Sequence, residues 1–333
     1  MKTRKCFNDS LQLSELGLGT ASIGNLHKTI TNQQAYQVIA HAYDNGIRYF
    51  DTASEYGHGL AEHRLGNVLR ELPRDTFTIS TKVGDLLLPN KENYETYSKF
   101  IDHLPFNIRY DYTYDGIMRC LEDSLQRLGM NRVDIVYVHD LDPIVHHKEL
   151  FQKYFKDFIE SGYKALDQLR KSGVVKAIGL GIKSSKVCKD SLKYCDFQCF
   201  MLQGNYTILE HNALHDLFPE CQKRGININL AGPFASGVLV TGSKGGYFHH
   251  KLAPKHILKK VLLIENVCKK YNVNLPSVAI QFPLKHSIIS SVVFGTGSID
   301  YVKNNLAFYN QAIPDELWQD LKDIGLIHSN SPV

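Results

Sequence analysis

The chain has 333 residues, 43% of them hydrophobic, and its 38 lysines and arginines nearly balance 34 aspartates and glutamates, leaving a formal charge of only +4. So mild a charge, with no dense basic tract, argues against a nucleic-acid partner, and no apolar run approaches the ~18 residues that a membrane span needs. The basic N-terminus lacks the apolar stretch of a signal peptide, and the seven cysteines, odd in number and widely spaced, fit the reduced thiols of a cytoplasmic protein better than a disulfide framework.

In chain order, the first predicted strand covers residues 16–20. An apolar stripe through Ala35, Val38, Ile39 and Ala42 predicts a helix over 31–44, ended by Asn45-Gly46. Residues 47–51 form the next strand, 61–70 the next helix and 77–82 a third strand. Strand, loop, helix, strand is the repeat of a parallel sheet with crossover helices. The rhythm breaks over 84–111, which is long for a strand-to-helix connection. Such a loop is expected to form a wall or lid beside the substrate, a plain surface insertion being the alternative. A helix over 113–128, a strand over 133–138 and an aromatic, charged loop to about residue 160 follow. Next come helix 162–171, strand 174–180, helix 185–193, strand 197–202, helix 213–224 and strand 226–230. A long helix over 254–271, a short one after Pro276, strand 288–294 and helices 299–308 and 314–324 complete the chain.

Eight strand–helix units with no linker or composition shift predict one α/β domain over 1–333, a (β/α)8 TIM barrel with extended loops at its C-terminal face. An open doubly wound sheet is the runner-up. Its dinucleotide fingerprint would have to be residues 17–24, where the third glycine is misplaced and no acidic strand end follows at the right offset.

Three successive strands place ionisable groups at their C-terminal ends: Asp51 with Tyr56 just beyond it, then Lys82, then His139. In a parallel barrel those ends share one face, so the four are expected to meet in one pocket. Tyrosine is a poor acid–base group near neutrality, with a pKa of about 10. A neighbouring ammonium favours tyrosinate, so Lys82 is expected to lower the pKa of Tyr56. Asp51 is expected to hold Lys82, and Tyr56 and His139 to cradle one carbonyl or alkoxide oxygen. That arrangement suits hydride transfer with a nicotinamide cofactor. No metal is expected: Cys195 and Cys199 read as buried thiols on one face of a strand, and His211 and His215 have no third ligand near in sequence. His146 and His147 read as solvated loop residues. The sequence carries no signal for oligomeric state.

These residues stand in motifs that resemble the aldo-keto reductase family over nearly the whole chain. Gly19-Thr20-Ala21 resembles its opening strand, Phe50 to Gly57 its aspartate–tyrosine signature, Thr81-Lys82 its lysine and His139 its histidine. The stretches 56–59, 111–116, 124–129 and 138–142 are similar to one branch, the D-threo-aldose (L-fucose) 1-dehydrogenases, pyridoxal 4-dehydrogenases and L-galactose dehydrogenases. The resemblance implies a catalytic set of Asp51, Tyr56, Lys82 and His139. It also implies oxidation of a cyclic hemiacetal to a lactone, with Tyr56 as general base and a small carbonyl or hemiacetal as the substrate. By the same resemblance, Gln203 holds the nicotinamide carboxamide, Gly232, Phe234 and Ser236 wrap the pyrophosphate, and Gly295, Thr296, Gly297 and Asn305 receive the adenosine half. Three positions depart from the family. Ala231 stands where a stacking tyrosine is usual, Gly181-Ile182 where Ser-Asn is usual, and Tyr301 where NADPH-preferring members carry an arginine. NAD is therefore expected over NADP. NADPH-dependent aldehyde reduction and a non-enzymatic barrel subunit are the competing readings.

Overall fold

The computed structural model describes residues 1–7, 11–89 and 98–333. Eight parallel strands form the barrel: Leu16–Gly19 (β1), Tyr49–Asp51 (β2), Thr78–Val83 (β3), Ile135–His139 (β4), Ala177–Ile182 (β5), Cys199–Gln203 (β6), Asn227–Ala231 (β7) and Ile289–Gly295 (β8). Each pairs with the next in sequence, and β8 returns to β1 from Val292↔Leu16 to Gly295↔Gly19. All eight overlap the predicted spans.

The helices start and stop where local chemistry dictates. Asn32–Asp44 opens on a capping box, the Thr31 side chain taking the Gln34 amide while the Gln34 side chain takes that of Thr31. Tyr114–Leu128 is capped by Thr113 and ends at Gly129, whose φ of +63° favours glycine. The predicted helix 213–224 is two, Ala213–Asp216 and Phe218–Arg224, because Pro219 at the start of the second has no N–H for a continuous ladder. The stretch to residue 160, expected as loop, is helical: Lys148–Asp157 runs through one wide π turn, Phe158–Gly162, into Tyr163–Lys171. At that turn a Cβ on Gly162 would stand 2.1 Å from the Tyr112 carbonyl oxygen, so only glycine admits the approach.

Among the described residues, three short antiparallel pairs decorate the barrel. Thr3–Cys6 pairs with Leu11–Ser14 and sits at the N-terminal ends of the strands, where the Phe7 amide bonds the Asn227 side chain. Its Cys6, Phe7, Leu11 and Leu13 pack against the barrel interior, which is filled by Tyr49, Ile135, Tyr137, Met201 and Val293. Asp85–Pro89 pairs with Phe106–Tyr110. The expected 84–111 loop is therefore a hairpin at its base; residues 90–97 lie outside the described residues. Tyr247–Phe248 pairs with Lys251–Leu252 between β7 and β8.

The larger core lies between barrel and helices. Cys195 belongs to it, whereas Cys199 belongs to the barrel interior, so the two do not share a face. Cys195 precedes β6, and strand alternation does not reach it. All seven cysteines are buried. Among the described residues no helix is long and apolar enough to cross a membrane.

Candidate active site

The C-terminal ends of β2, β3 and β4 bring Asp51, Tyr56, Lys82 and His139 together. Asp51 is the last residue of β2, and Ser80 and Lys82 lie two apart on β3, hence on one face. Lys82 Nζ is 2.6 Å from Asp51 Oδ2 and donates to the Thr52 carbonyl at 2.9 Å. The other Asp51 oxygen accepts from Ser80 Oγ at 2.7 Å. Lys82 Nζ lies 4.6 Å from the centre of the Tyr56 ring, and His139 meets the same ring edge-on at 5.9 Å. The loop bearing Tyr56 fits because residue 24 is glycine: a Cβ there would be 2.6 Å from the Tyr56 carbonyl carbon. From the far side of the 84–111 segment, Phe100 reaches the Tyr56 ring at 5.9 Å, and the Leu104 amide bonds the Gly57 carbonyl.

The electrostatics correct one expectation. Burial pushes the Tyr56 phenol up; Lys82 pulls it down, Asp51 pushes it up again, and it stays above its ordinary value. The ammonium of Lys82 is already matched by Asp51, so too little positive potential remains to offset desolvation. Burial also presses Lys82 toward the neutral form, but Asp51 and Tyr56 outweigh it and hold the ammonium above its usual pKa.

Around His139 lies a set of charges that the sequence did not single out. Its Nδ1 is 3.3 Å from Asp85 Oδ2, and its Nε2 is 3.7 Å from Glu55 Oε2. Lys99 holds the other Glu55 oxygen at 2.7 Å. The His139 carbonyl accepts from the Tyr112 hydroxyl at 2.9 Å, and His146 sits behind that hydroxyl at 3.1 Å. His146 is thus buried, not solvated. His58 is buried as well, its Nδ1 against the Phe106 carbonyl, where it anchors the hairpin. Asp142 receives the Lys183 and Ser184 amides at 2.9 and 2.7 Å, tying the loop after β4 to the loop after β5. Glu55, His139 and Asp140 bring possible metal ligands within 4.8 Å of one another, but Lys99 and Asp85 already engage two of the three. The available sequence signal for Asp85 was an acid directly after a strand end and a glycine.

The predicted cofactor residues form a second arc over the later strands. Gln203 ends β6, exposed, its amide 3.1 Å from His250. Gly232 follows β7 with φ +70°, and Ser236, at φ +61°, accepts from the His250 amide at 3.1 Å. Phe234 packs partly into the core. The Tyr247–Leu252 ribbon therefore crosses over Gln203 and Ser236. Gly295 ends β8, and Thr296 and Gly297 lead into the helix Ile299–Asn310, whose N-cap Ser298 makes no side-chain cap. Its first amides remain available to a phosphate or hydroxyl. Asn305 is only 6% exposed, with no side-chain hydrogen bond among the described residues. The Asn305 amide, engaged by no described residue, the uncapped helix amides and the positive-φ turn at Gly232 fit a dinucleotide laid along this arc.

A closed parallel barrel thus carries a buried lysine–aspartate pair, a tyrosine and a histidine at one rim. The chain belongs to the Aldo/keto reductase family, which it matches over residues 15–325, and it is accordingly an enzyme that works with a nicotinamide cofactor. It is 36% identical to a pyridoxal 4-dehydrogenase of Microbacterium luteolum over 327 residues, 95% of each chain. It is equally 36% identical to a D-threo-aldose 1-dehydrogenase of Pseudomonas over 325 residues, again 95% of each. Among solved structures, the holo form of an aldo-keto reductase from Bacillus halodurans superposes with a TM-score of 0.76 at 25% identity, covering 97% of this chain and 96% of that one.

Proposed function

We propose that this enzyme oxidises the anomeric carbon of a cyclic hemiacetal, from an aldose or from pyridoxal, to a lactone, and that it prefers NAD to NADP. An aldose and pyridoxal, the substrate types in the names of its two relatives, both close to cyclic hemiacetals in water, so one site chemistry serves either. The observation that carries the reading is the Lys82 ammonium, fixed by Asp51 at 2.6 Å and set against the Tyr56 ring beside His139.

The nicotinamide, when bound, supplies the hydride acceptor. Tyr56 takes the hydroxyl proton as the C–H bond breaks, and Lys82 steadies the phenolate that makes this possible. His139 holds the same substrate oxygen, and the Asp51–Lys82 pair, locked by Ser80 and the Thr52 carbonyl, keeps the ammonium from drifting. The contact of Phe100 with the Tyr56 ring, beside the hairpin Asp85–Pro89 with Phe106–Tyr110, supports a wall on the substrate side. The NAD preference rests on Tyr301, exposed beside the acidic Asp300 in the first turn of Ile299–Asn310, where a 2′-phosphate would want a cation. The buried thiols support a reducing, cytoplasmic setting, and the single barrel supports one domain.

One observation favours the reverse reaction. The raised Tyr56 pKa keeps the phenol protonated at rest, the form that donates to a carbonyl in reduction. The test is absorbance of the reduced nicotinamide, with NAD and NADP in parallel, against L-fucose, L-galactose, D-arabinose and pyridoxal, beside Tyr56→Phe. NAD reduction by one of them, lost in the variant, is expected. Silence with all four, together with NADPH oxidation by simple aldehydes, would replace this reading with the reductase.

A further inference from the structure

One buried carboxylate at the site has no part in the chemistry above. Asp85 is fully buried. One of its oxygens takes Ser54 Oγ at 2.8 Å, the Glu55 amide at 3.1 Å and His139 Nδ1 at 3.3 Å, while the other has no hydrogen-bond partner among the described residues. A half-satisfied buried carboxylate is costly, and a cap on the Ser54–Glu55 turn alone would need no charge. Gly84 sets it in place: its φ of +112° turns the chain directly after β3, and a Cβ there would strike the Tyr112 ring at 2.4 Å.

We infer that Asp85 is a positioning residue that fixes the tautomer of His139. An ionised carboxylate only accepts, so Nδ1 must carry its hydrogen toward Asp85. A neutral imidazole has one N–H, so neutral His139 presents a bare Nε2, and only the imidazolium presents Nε2–H. The Nε2 edge lies on the side of Glu55, away from Asp85. The charge on His139 thereby decides whether the reacting oxygen receives a hydrogen bond from this ring. The imidazolium donates to that oxygen, as carbonyl or as the hydroxyl whose own hydrogen goes to Tyr56; the neutral ring offers it no hydrogen.

Asp85 is one of several charges facing this ring. Burial disfavours the imidazolium, but Asp140, Asp85 and Glu55 outweigh it and hold the pKa of His139 above its ordinary value. Lys82 on β3 and Lys99, paired with Glu55, are the cations nearby. Tyr56, Tyr112 and His146 complete the surroundings.

The use of Nε2 rests on the proposed function; the tautomer does not. The experiment is therefore 15N NMR of histidine-labelled protein without substrate or cofactor, the His139 signals assigned by their loss in His139→Gln. Above its midpoint the parent is expected to show the Nδ1–H form. Asp85→Asn is expected to lower the midpoint by about one pH unit and to bring in the Nε2–H form. Ser54→Ala, which keeps the carboxylate, should leave the tautomer unchanged. A parent in the Nε2–H form overturns the inference without any variant, as does an Asp85→Asn effect no larger than that of Ser54→Ala. Nicotinamide absorbance reads the oxidoreductase function separately, so silence there with an Nδ1–H parent would fault the function and leave the positioning intact. With an active substrate, the limb of kcat against pH that follows His139 should move with the NMR midpoint in Asp85→Asn.

Discussion

Lys82 Nζ sits 2.6 Å from Asp51 Oδ2 and 4.6 Å from the centre of the Tyr56 ring, with all three side chains inside the barrel rim. The lysine thus serves two partners, one that neutralises it and one that it can polarise. Lys82→Met strips both. It leaves Asp51 buried without its cation, a loss of about 3–5 kcal/mol, and abolishes turnover. Adding Asp51→Leu should recover much of that stability and none of the activity. Urea denaturation followed by intrinsic fluorescence, run beside the nicotinamide assay, separates the two effects.

Tyr56→Phe removes one oxygen from a packed ring, so the fold should hold while the rate falls about 10²–10⁴-fold. The sign of the pH dependence follows from the raised phenol. A base must be deprotonated, and a pKa held above ordinary makes phenolate scarcer, so oxidation should quicken as pH rises through the alkaline range. Reduction, which uses the phenol, should not. A rate of oxidation flat between pH 7 and about 10 would remove Tyr56 from the role of base.

Asp85 and His139 should also mark the stability curve. The carboxyl of Asp85 is pressed upward by burial but held below its ordinary pKa, chiefly by His139. A depressed acid stabilises the fold above its unfolded pKa of about 4 and loses that contribution as pH falls through the folded value. The raised His139 stabilises below about 6.5 and fades as pH climbs through its own folded value. Asp85→Asn should therefore cost about 1–3 kcal/mol near pH 6 and less in acid, where the parent carboxyl is itself protonated. Thermal melts of parent and variant across that range give the comparison.

The nicotinamide preference should be movable from one position. Tyr301→Arg sets a cation in the first turn of Ile299–Asn310 in place of an exposed ring. It should improve kcat/KM for NADP by about tenfold, the equivalent of ~1.4 kcal/mol, and leave NAD nearly unchanged. Asn305→Leu, which blanks the open buried amide, should raise KM for either dinucleotide with little change in kcat. Steady-state kinetics at saturating substrate measures both.

The barrel was legible because its strands advertise themselves. Runs such as those ending at Lys82 and His139 are apolar, β-branched and bounded by turn residues, and their regular spacing admits few topologies. The rim was legible for a related reason, since a charged side chain at the end of an apolar strand is conspicuous. Asp85 was not, because its partners Ser54 and His139 lie 31 and 54 residues away, and no local pattern joins them. The helix Lys148–Asp157 escaped although Phe151, Tyr154 and Phe155 form an apolar stripe at helical spacing; the stripe packs only partly buried on the core, among charged residues that read as loop. The paired strands Thr3–Cys6 and Leu11–Ser14 were too short to show alternation.

The two ends of the sheet meet at Arg4. Its guanidinium binds Glu15 at 2.7 Å and the Ile289 carbonyl at 2.8 Å, with the Leu284 carbonyl beside them, while Tyr309 takes the other Glu15 oxygen. One arginine near the start of the chain thus staples the seam between β1 and β8. A ribosome delivers these parts some 280 residues apart, so β1 must wait, one edge bare, until β8 has emerged. Synthesis and closure are then separate events, and the nascent protein is most exposed to misassociation just before its last strand arrives.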